Sequence, residues 1–400
     1  MEKKLAIFGG KPVRESILQY GKQSIDQTDV DAVVDVLNSA WLTTGPYVEN
    51  FEKSVAQYTQ ANNAISVSSG TAALHTALAA LDLCENDEVI VPSITFLATA
   101  NSVVFVGAKP VFADVYADTL LIDPNSVETL ISDRTKAIIC VDFAGQCCDY
   151  DAINKIANKQ GIKVIADACH SLGAKRDGVS VGKLADISVL SFHPVKNITT
   201  AEGGMLLTND DSIAHKARLF RNHGMDRDHN ARSKNQSWRY SMFEIGYNYR
   251  LSDLHAALGA SQLKRLPAFN KRRLEIAKQY DYALQNIEYV TPVKRDGLNE
   301  HVYHLYVIRL DTKKLKTSRD EFFSALRAEN IGVNVHYFPV HLQPYYKKNF
   351  DTCEGMCPVS EEVYNEIISL PIYPDMTEGD IEDVVLALKK VVAHYHSCHS

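Results

Sequence analysis

A chain of 400 residues, 46% of them hydrophobic, has ample apolar material for a sizeable core, and its length points to two domains. Charged residues make up 23%, and 20 Gly with 13 Pro are too few for a low-complexity or disordered chain. The net charge of -7 argues against a general nucleic-acid or anionic-membrane surface.

Thr28-Asp29-Val30-Asp31 reads as a capping-box-like start to a helix that carries Val33, Val34 and Leu37 at helical spacing. After the turn Trp41 to Pro46, a second helix runs to about Tyr58. From Ala64 onward short apolar strands alternate with helices, and the strand candidates are 64–67, 88–91, 110–113, 137–142, 163–166, 187–192 and 205–208. The uncharged stretch between Glu88 and Lys109 is long enough to span a membrane. Pro92, Ser93, Thr95, Thr99, Asn101, Ser102 and Gly107 interrupt it, so strand, turn, helix and strand is the better reading. Residues 222–243 show no period and read as a long loop.

A helix follows Ser252, Pro267 breaks it, and a long helix of roughly 269–286 bridges to a smaller unit. Lys271-Arg272-Arg273 on that helix reads as a solvated basic face. The smaller unit has strands near 302–310 and 332–337, a helix capped by Ser318 with Glu321 in its first turn, and a last helix after Thr377. The pattern predicts an α/β protein: a large domain, 1–266, with a mostly parallel seven-stranded sheet flanked by helices, and a small α+β domain, 267–400. Ligands are expected at the carboxyl ends of the strands.

Eight cysteines show no disulfide framework, and Met1 to Phe8 holds too short an apolar stretch for a secretory signal, so a reducing cytoplasm is expected. Neither Cys353 with Cys357 nor the tail residues His394, His396, Cys398 and His399 have the spacing of a zinc site, and no metal is expected.

Lys196 carries the most information. It stands in the run Ser191 to Gly204, between apolar strand segments, where burial would lower its amine's proton affinity and make it a nucleophile toward carbonyls. Pyridoxal phosphate, held as a Schiff base, is the cofactor that uses such a lysine. Ser68-Ser69-Gly70-Thr71 leads from a strand into a helix, whose free N–H groups would hold a phosphate; on its own the segment reads first as an ordinary N-cap. Phe96, at another strand's carboxyl end, offers a planar partner for a ring, or packs in the core. Asp167 ends the strand 163–166, where its carboxylate could keep a pyridine nitrogen protonated or simply cap the following turn. His170 could bond the ring oxygen or be a structural histidine.

Taken in order, these residues resemble fold-type I aminotransferases, and the chain is similar to the DegT/StrS family of nucleotide-sugar aminotransferases from about 18 to 385. Tyr20 to Ile25, Trp41 to Pro46, the Lys196 run and His336 to His341 are most similar to the UDP-4-amino-4,6-dideoxy-N-acetyl-β-L-altrosamine transaminases of pseudaminic acid synthesis. The resemblance implies that Lys196 bonds the cofactor, Asp167 pairs with its pyridinium, Gly70, Thr71 and Ser191 hold its phosphate, and Phe96 stacks on its ring. It further implies that Asn248 reaches the phosphate of a second subunit, making the enzyme a homodimer. Tyr20 in the N-terminal segment 1–26, Thr43, Thr44, Gly45, His336, Tyr337, Phe338 and Pro339 would contact the sugar nucleotide, with Asn248 beside them. Ala201 stands where many relatives have Gly.

The implied reaction is ping-pong. L-glutamate gives up its amino group with Lys196 as general base and acid, and the amine passes to C4 of a UDP-4-keto-6-deoxy-N-acetylhexosamine. Arg250 is a candidate for the glutamate carboxylate. The alternatives are a dTDP- or GDP-linked keto-sugar, amination at C3, or a sugar dehydratase, whose family members carry histidine in place of the lysine. A non-catalytic sugar-nucleotide binder would make the constellation a coincidence, and no G-x-G-x-x-G between strand and helix supports a nicotinamide enzyme.

Overall fold

The computed structural model describes residues 4–225 and 240–397. The seven predicted strands all form: β1 (Asn63–Val67), β2 (Glu88–Pro92), β3 (Lys109–Ala113), β4 (Thr135–Val141), β5 (Lys163–Asp167) and, after the short pair β6 (Lys175–Arg176) and β7 (Val179–Ser180), β8 (Ile187–Ser191) and β9 (Gly204–Thr208). They make one sheet in the order β1-β9-β8-β5-β4-β2-β3, in which only β9 runs antiparallel to its neighbours. Side chains along each strand alternate between two buried layers: Val164 and Ala166 pack on one face, Ile165 on the other. Coverage on both faces is what makes these strands continuous apolar runs.

The stretch Glu88 to Lys109 resolves as expected into β2, the helix Leu97–Phe105 and β3. Among the described residues no helix is long and apolar enough to cross a membrane. Four readings change. The first helix is Gln27–Leu37, capped reciprocally by Asp26 and Asp29 instead of starting at Thr28. Pro267 does not end a helix: Asp253–Leu284 runs through it as one element, so the expected boundary at 266 falls inside a helix. Packing against the helices Gln27–Leu37 and Pro46–Thr59 outweighs the one N–H that proline lacks. Arg273 is not solvated but fully buried, its guanidinium donating to three main-chain carbonyls. In the smaller unit β12 (Tyr306–Leu310) lies between β10 (Val290–Pro292) and β13 (Ile367–Leu370), an apolar run the pattern did not single out, while β11 (Asn299–Glu300) joins β6. Residues 332–337 form no strand, and only Asn334 bridges to Ser369.

The helix Arg319–Ala328 has its Ser318–Glu321 capping box, and the last helix is Glu378–Ser397. Leu5 and Leu18 of the N-terminal segment pack in the core of this smaller unit with Ile276, Tyr306 and Ile331. Of the loop 222–243, residues 226–239 lie outside the described part.

Candidate active site

Because β1, β2, β5 and β8 are mutually parallel, their carboxyl ends meet along one edge of the sheet. A cavity of about 440 Å³ opens there, lined among others by Gly70, Thr71, Phe96, Asp167, His170, Ser191 and Lys196. Val67 and Ser191 pair with Gly204 from either side. A Cβ on Gly204 would lie 2.3 Å from the Ser69 carbonyl oxygen, so glycine lets the strand end and the helix start approach. Ser69 caps the helix Gly70–Ala79 by accepting from the Ala72 N–H, and Gly70 and Thr71 of its first turn line the cavity. A Cβ on Gly70 would meet Ser191 Cβ at 2.8 Å. The cradle is thus shaped for an anion at a helix N-terminus.

Lys196 sits on the loop joining β8 to β9. Phe192 anchors that loop by packing on Phe51 with ring centroids 5.2 Å apart, and its carbonyl accepts from Thr200 N–H at 3.0 Å and Thr199 Oγ1 at 3.1 Å. Ala201 has a left-handed φ of 65°, which explains why glycine suits that position. Burial pushes the Lys196 amine below the ordinary lysine range, against the opposing pull of Cys169 and Asp167. Its Nζ lies 3.5 Å from His304 Nε2.

Asp167 is 7% exposed; its Oδ2 accepts from Thr99 Oγ1 at 2.8 Å, and Thr99 in turn shares a 2.7 Å bond with Thr95. His170 Nε2 is 3.2 Å from the Tyr337 hydroxyl, while its Nδ1 is buried without a partner. Burial and the nearby Lys196 hold His170 well below the usual imidazole range, so it is neutral. Phe96 is no core residue: it is 57% exposed at the cavity mouth, its ring 6.0 Å from that of Tyr337. Tyr20 and His336 face each other at 5.7 Å, and His336 Nδ1 bonds Ser369 Oγ at 2.8 Å.

The structure does not bring every expected residue to the cavity. Thr43 bridges to Ser252, and the Asp253 carboxylate accepts from the Gly45 N–H at 2.7 Å, away from the lining. Phe338 packs edge-on against Tyr364, and Pro339 precedes a short helical turn. Asn248 pairs with Asn222 outside the cavity of its own chain, and Arg250 donates to Asn222 Oδ1 at 2.7 Å. Conversely, Thr95, Thr99, His193, Glu202, His304 and Asn334 line it unforeseen. The i, i+4 spacing of Thr95 and Thr99 was the one legible hint.

Residues 23–389 match the DegT/DnrJ/EryC1/StrS aminotransferase family. The chain belongs to that family. It is 42% identical over 382 residues to the spore coat polysaccharide biosynthesis protein SpsC of Bacillus subtilis, covering 95% of this chain and 98% of that one. Among solved structures it is similar to PseC of Helicobacter pylori, an aminotransferase involved in the biosynthesis of pseudoaminic acid, with 33% identity, a TM-score of 0.88, and 94% and 99% of the two chains covered. The pyridoxal-phosphate form of a putative sugar aminotransferase from Streptococcus pneumoniae, Spr1654, superposes with a TM-score of 0.88 at 29% identity, covering 95% and 99%. This sugar aminotransferase therefore takes pyridoxal phosphate as its cofactor, and the lining fits that group: an anion cradle at one end, a buried carboxylate at the other, and an amine of lowered proton affinity between them.

Proposed function

We propose that this aminotransferase transfers the amino group of L-glutamate to C4 of a UDP-4-keto-6-deoxy-N-acetylhexosamine. The products would be a UDP-4-amino-4,6-dideoxy sugar and 2-oxoglutarate, on a route to pseudaminic acid in a cell-surface glycan. The observation that carries the reading is the placement of Lys196, Asp167 and the Gly70–Ser191 cradle in one cavity, supported in its substrate by the likeness to PseC.

Pyridoxal phosphate, when bound, supplies a carbonyl carbon that accepts the amino group and a ring that withdraws electrons from the carbon losing its proton. The residues divide the remaining work. Lys196 holds the cofactor between turnovers; once released, its Nζ takes the α-proton from the amino donor and gives it up again. Asp167 pairs with the pyridine nitrogen, supported by Thr99. The Gly70–Ala79 helix N-terminus, Thr71 and Ser191 hold the phosphate, Phe96 covers the ring, and His170 bonds the ring oxygen. Tyr20, His336 and Tyr337 contact the sugar nucleotide from the cavity lining, whereas the turn Thr43 to Gly45, Phe338 and Pro339 would reach it only from outside that lining. Asn248 reaches the site of a second copy in a homodimer, a reading supported by the exposed apolar side chains of Met242, Phe243 and Ile245 near it. The described cysteines are all free thiols, in keeping with a cytoplasmic enzyme.

The test is turnover of a panel of UDP-, dTDP- and GDP-linked 3-keto and 4-keto sugars with glutamate, the amine's position read by NMR. Exclusive use of a dTDP or 3-keto substrate, or water loss without amine transfer, overturns the substrate reading.

A further inference from the structure

Resting on the reading that a sugar nucleotide binds beside Tyr337, we infer that His341 is a positioning residue for that substrate: by accepting a hydrogen bond from the Ser93 hydroxyl it pins together the two walls of the cavity mouth. Ser93 follows β2 and stands three residues before Phe96, while His341 stands four residues after Tyr337. Both are fully buried, and neither lines the cavity.

Three side chains stand in line. Ser93 Oγ lies 2.6 Å from His341 Nδ1, and His341 Nε2 lies 3.0 Å from Glu361 Oε1. Against burial, which raises it, bonds from His341 and from the Gly355 and Cys357 amides hold the Glu361 carboxyl below the usual carboxylate range. An ionised carboxylate only accepts, so His341 carries a proton on Nε2. Burial outweighs the pull of Glu361 and Asp114 and lowers the proton affinity of the ring, which is therefore neutral. Its Nδ1 then has a bare lone pair, and the Ser93 O–H donates into it. Each donor and acceptor in the line has one assignment, which gives this contact a direction that packing lacks.

The joint sits where it can set the mouth. Val340 N–H donates to the Ser93 carbonyl at 2.9 Å, so one segment grips Ser93 by main chain and by side chain. From Ser93 the chain leads to Thr95, bonded to Thr99 beside Asp167, and to Phe96 at the mouth. From His341 it leads back to Tyr337, whose ring centroid is 6.0 Å from that of Phe96. Without the side-chain bond, the Val340 bond becomes a pivot and the Phe96–Tyr337 separation is loosely set. The substrate must then order its own entrance, at a cost in affinity. Lys196 and Asp167 have other partners, so the chemical step is spared.

Two substitutions at one position separate this role from packing. His341→Asn places its amide near Nδ1, keeping an acceptor for Ser93 and giving up Glu361. His341→Gln reaches to Nε2, keeping a donor for Glu361 and giving up Ser93. A histidine that only fills space predicts similar losses from both. The holoenzyme is assayed with glutamate and a UDP-4-keto-6-deoxy-N-acetylhexosamine. In His341→Gln the KM of the sugar nucleotide is expected to rise about three- to tenfold, whereas His341→Asn stays within about twofold of the parent. In both, kcat and the KM of glutamate should stay within about twofold. Ser93→Ala leaves the histidine in place and should match His341→Gln; it decides by itself if the histidine variants do not fold. An unchanged sugar-nucleotide KM in His341→Gln or Ser93→Ala, equal rises in Gln and Asn, or a loss confined to kcat overturns the proposal. A parent that aminates no sugar nucleotide sinks the proposed function and this inference with it, while a parent that does so without the split between variants sinks only His341.

Discussion

Thr99→Val tests whether the carboxylate beneath the cofactor depends on a neighbour. Valine matches threonine in shape, so the change removes the 2.8 Å bond to Asp167 Oδ2 and the 2.7 Å bond to Thr95 with little repacking. Cys169 N–H also donates to Oδ1, at a long 3.4 Å. With the cavity open, Oδ2 can be solvated; once the cofactor covers it, it stays unsatisfied at a cost of roughly 1–3 kcal/mol. That difference falls on binding, and at about 1.4 kcal/mol per decade it weakens cofactor affinity by roughly 5- to 150-fold. Thr99→Ser, which keeps the hydroxyl, should remain near the parent. Equilibrium dialysis of both variants against pyridoxal phosphate measures the effect, and a dissociation constant within twofold of the parent in Thr99→Val refutes the reasoning.

Two stability predictions follow, one from a buried imidazole and one from a proline within a helix. Burial and Lys196 push His336 down to about 3, whereas an unfolded chain's imidazole titrates near 6.5. Between those values the unfolded state binds the extra proton, so folding free energy falls as the pH drops below about 6.5, by roughly 1.4 kcal/mol at pH 5.5 for this one group. His336→Asn, which keeps a polar group facing Ser369, should lose that much less between pH 7.5 and 5.5 in urea titrations; an identical slope would contradict the burial argument. Pro267 lies exposed within Asp253–Leu284. Pro267→Ala restores a main-chain N–H to the ladder and should stabilise the chain by about 1–3 kcal/mol, read as a raised Tm, while an unchanged Tm would mean the helix is relaxed around its proline.

The strands were legible because a sheet covered on both faces demands unbroken apolar segments, and the connecting turns interrupt them visibly. All seven lie within two residues of their expected ends. The helix limits were less so: Asp26 outcompetes Thr28 as a cap because Asp29 can answer it reciprocally, which depends on side-chain reach. Arg273 looked solvated because a basic run normally is; three carbonyls from two separate segments, Tyr303–His304 and Ile372, gather around it only in the folded chain. The same holds for β13, which an Ile-Ile-Ser-Leu run made possible and the partner β12 made real.

Local order along the chain was enough to establish the alternation of strand and helix, the glycine-led helix start and a lysine trapped between two apolar segments, since each rests on neighbours a few residues apart. The surroundings of that lysine belong to the folded molecule. Thr99 lies 68 positions from Asp167 and His304 108 from Lys196, and a hydrogen bond across such a separation leaves no periodic trace in the sequence. The parallel sheet, by delivering its carboxyl ends to one edge, brings Thr99 to Asp167, and main-chain bonds from Val302 and Leu305 to the Ala144–Gly145 turn bring His304 to Lys196.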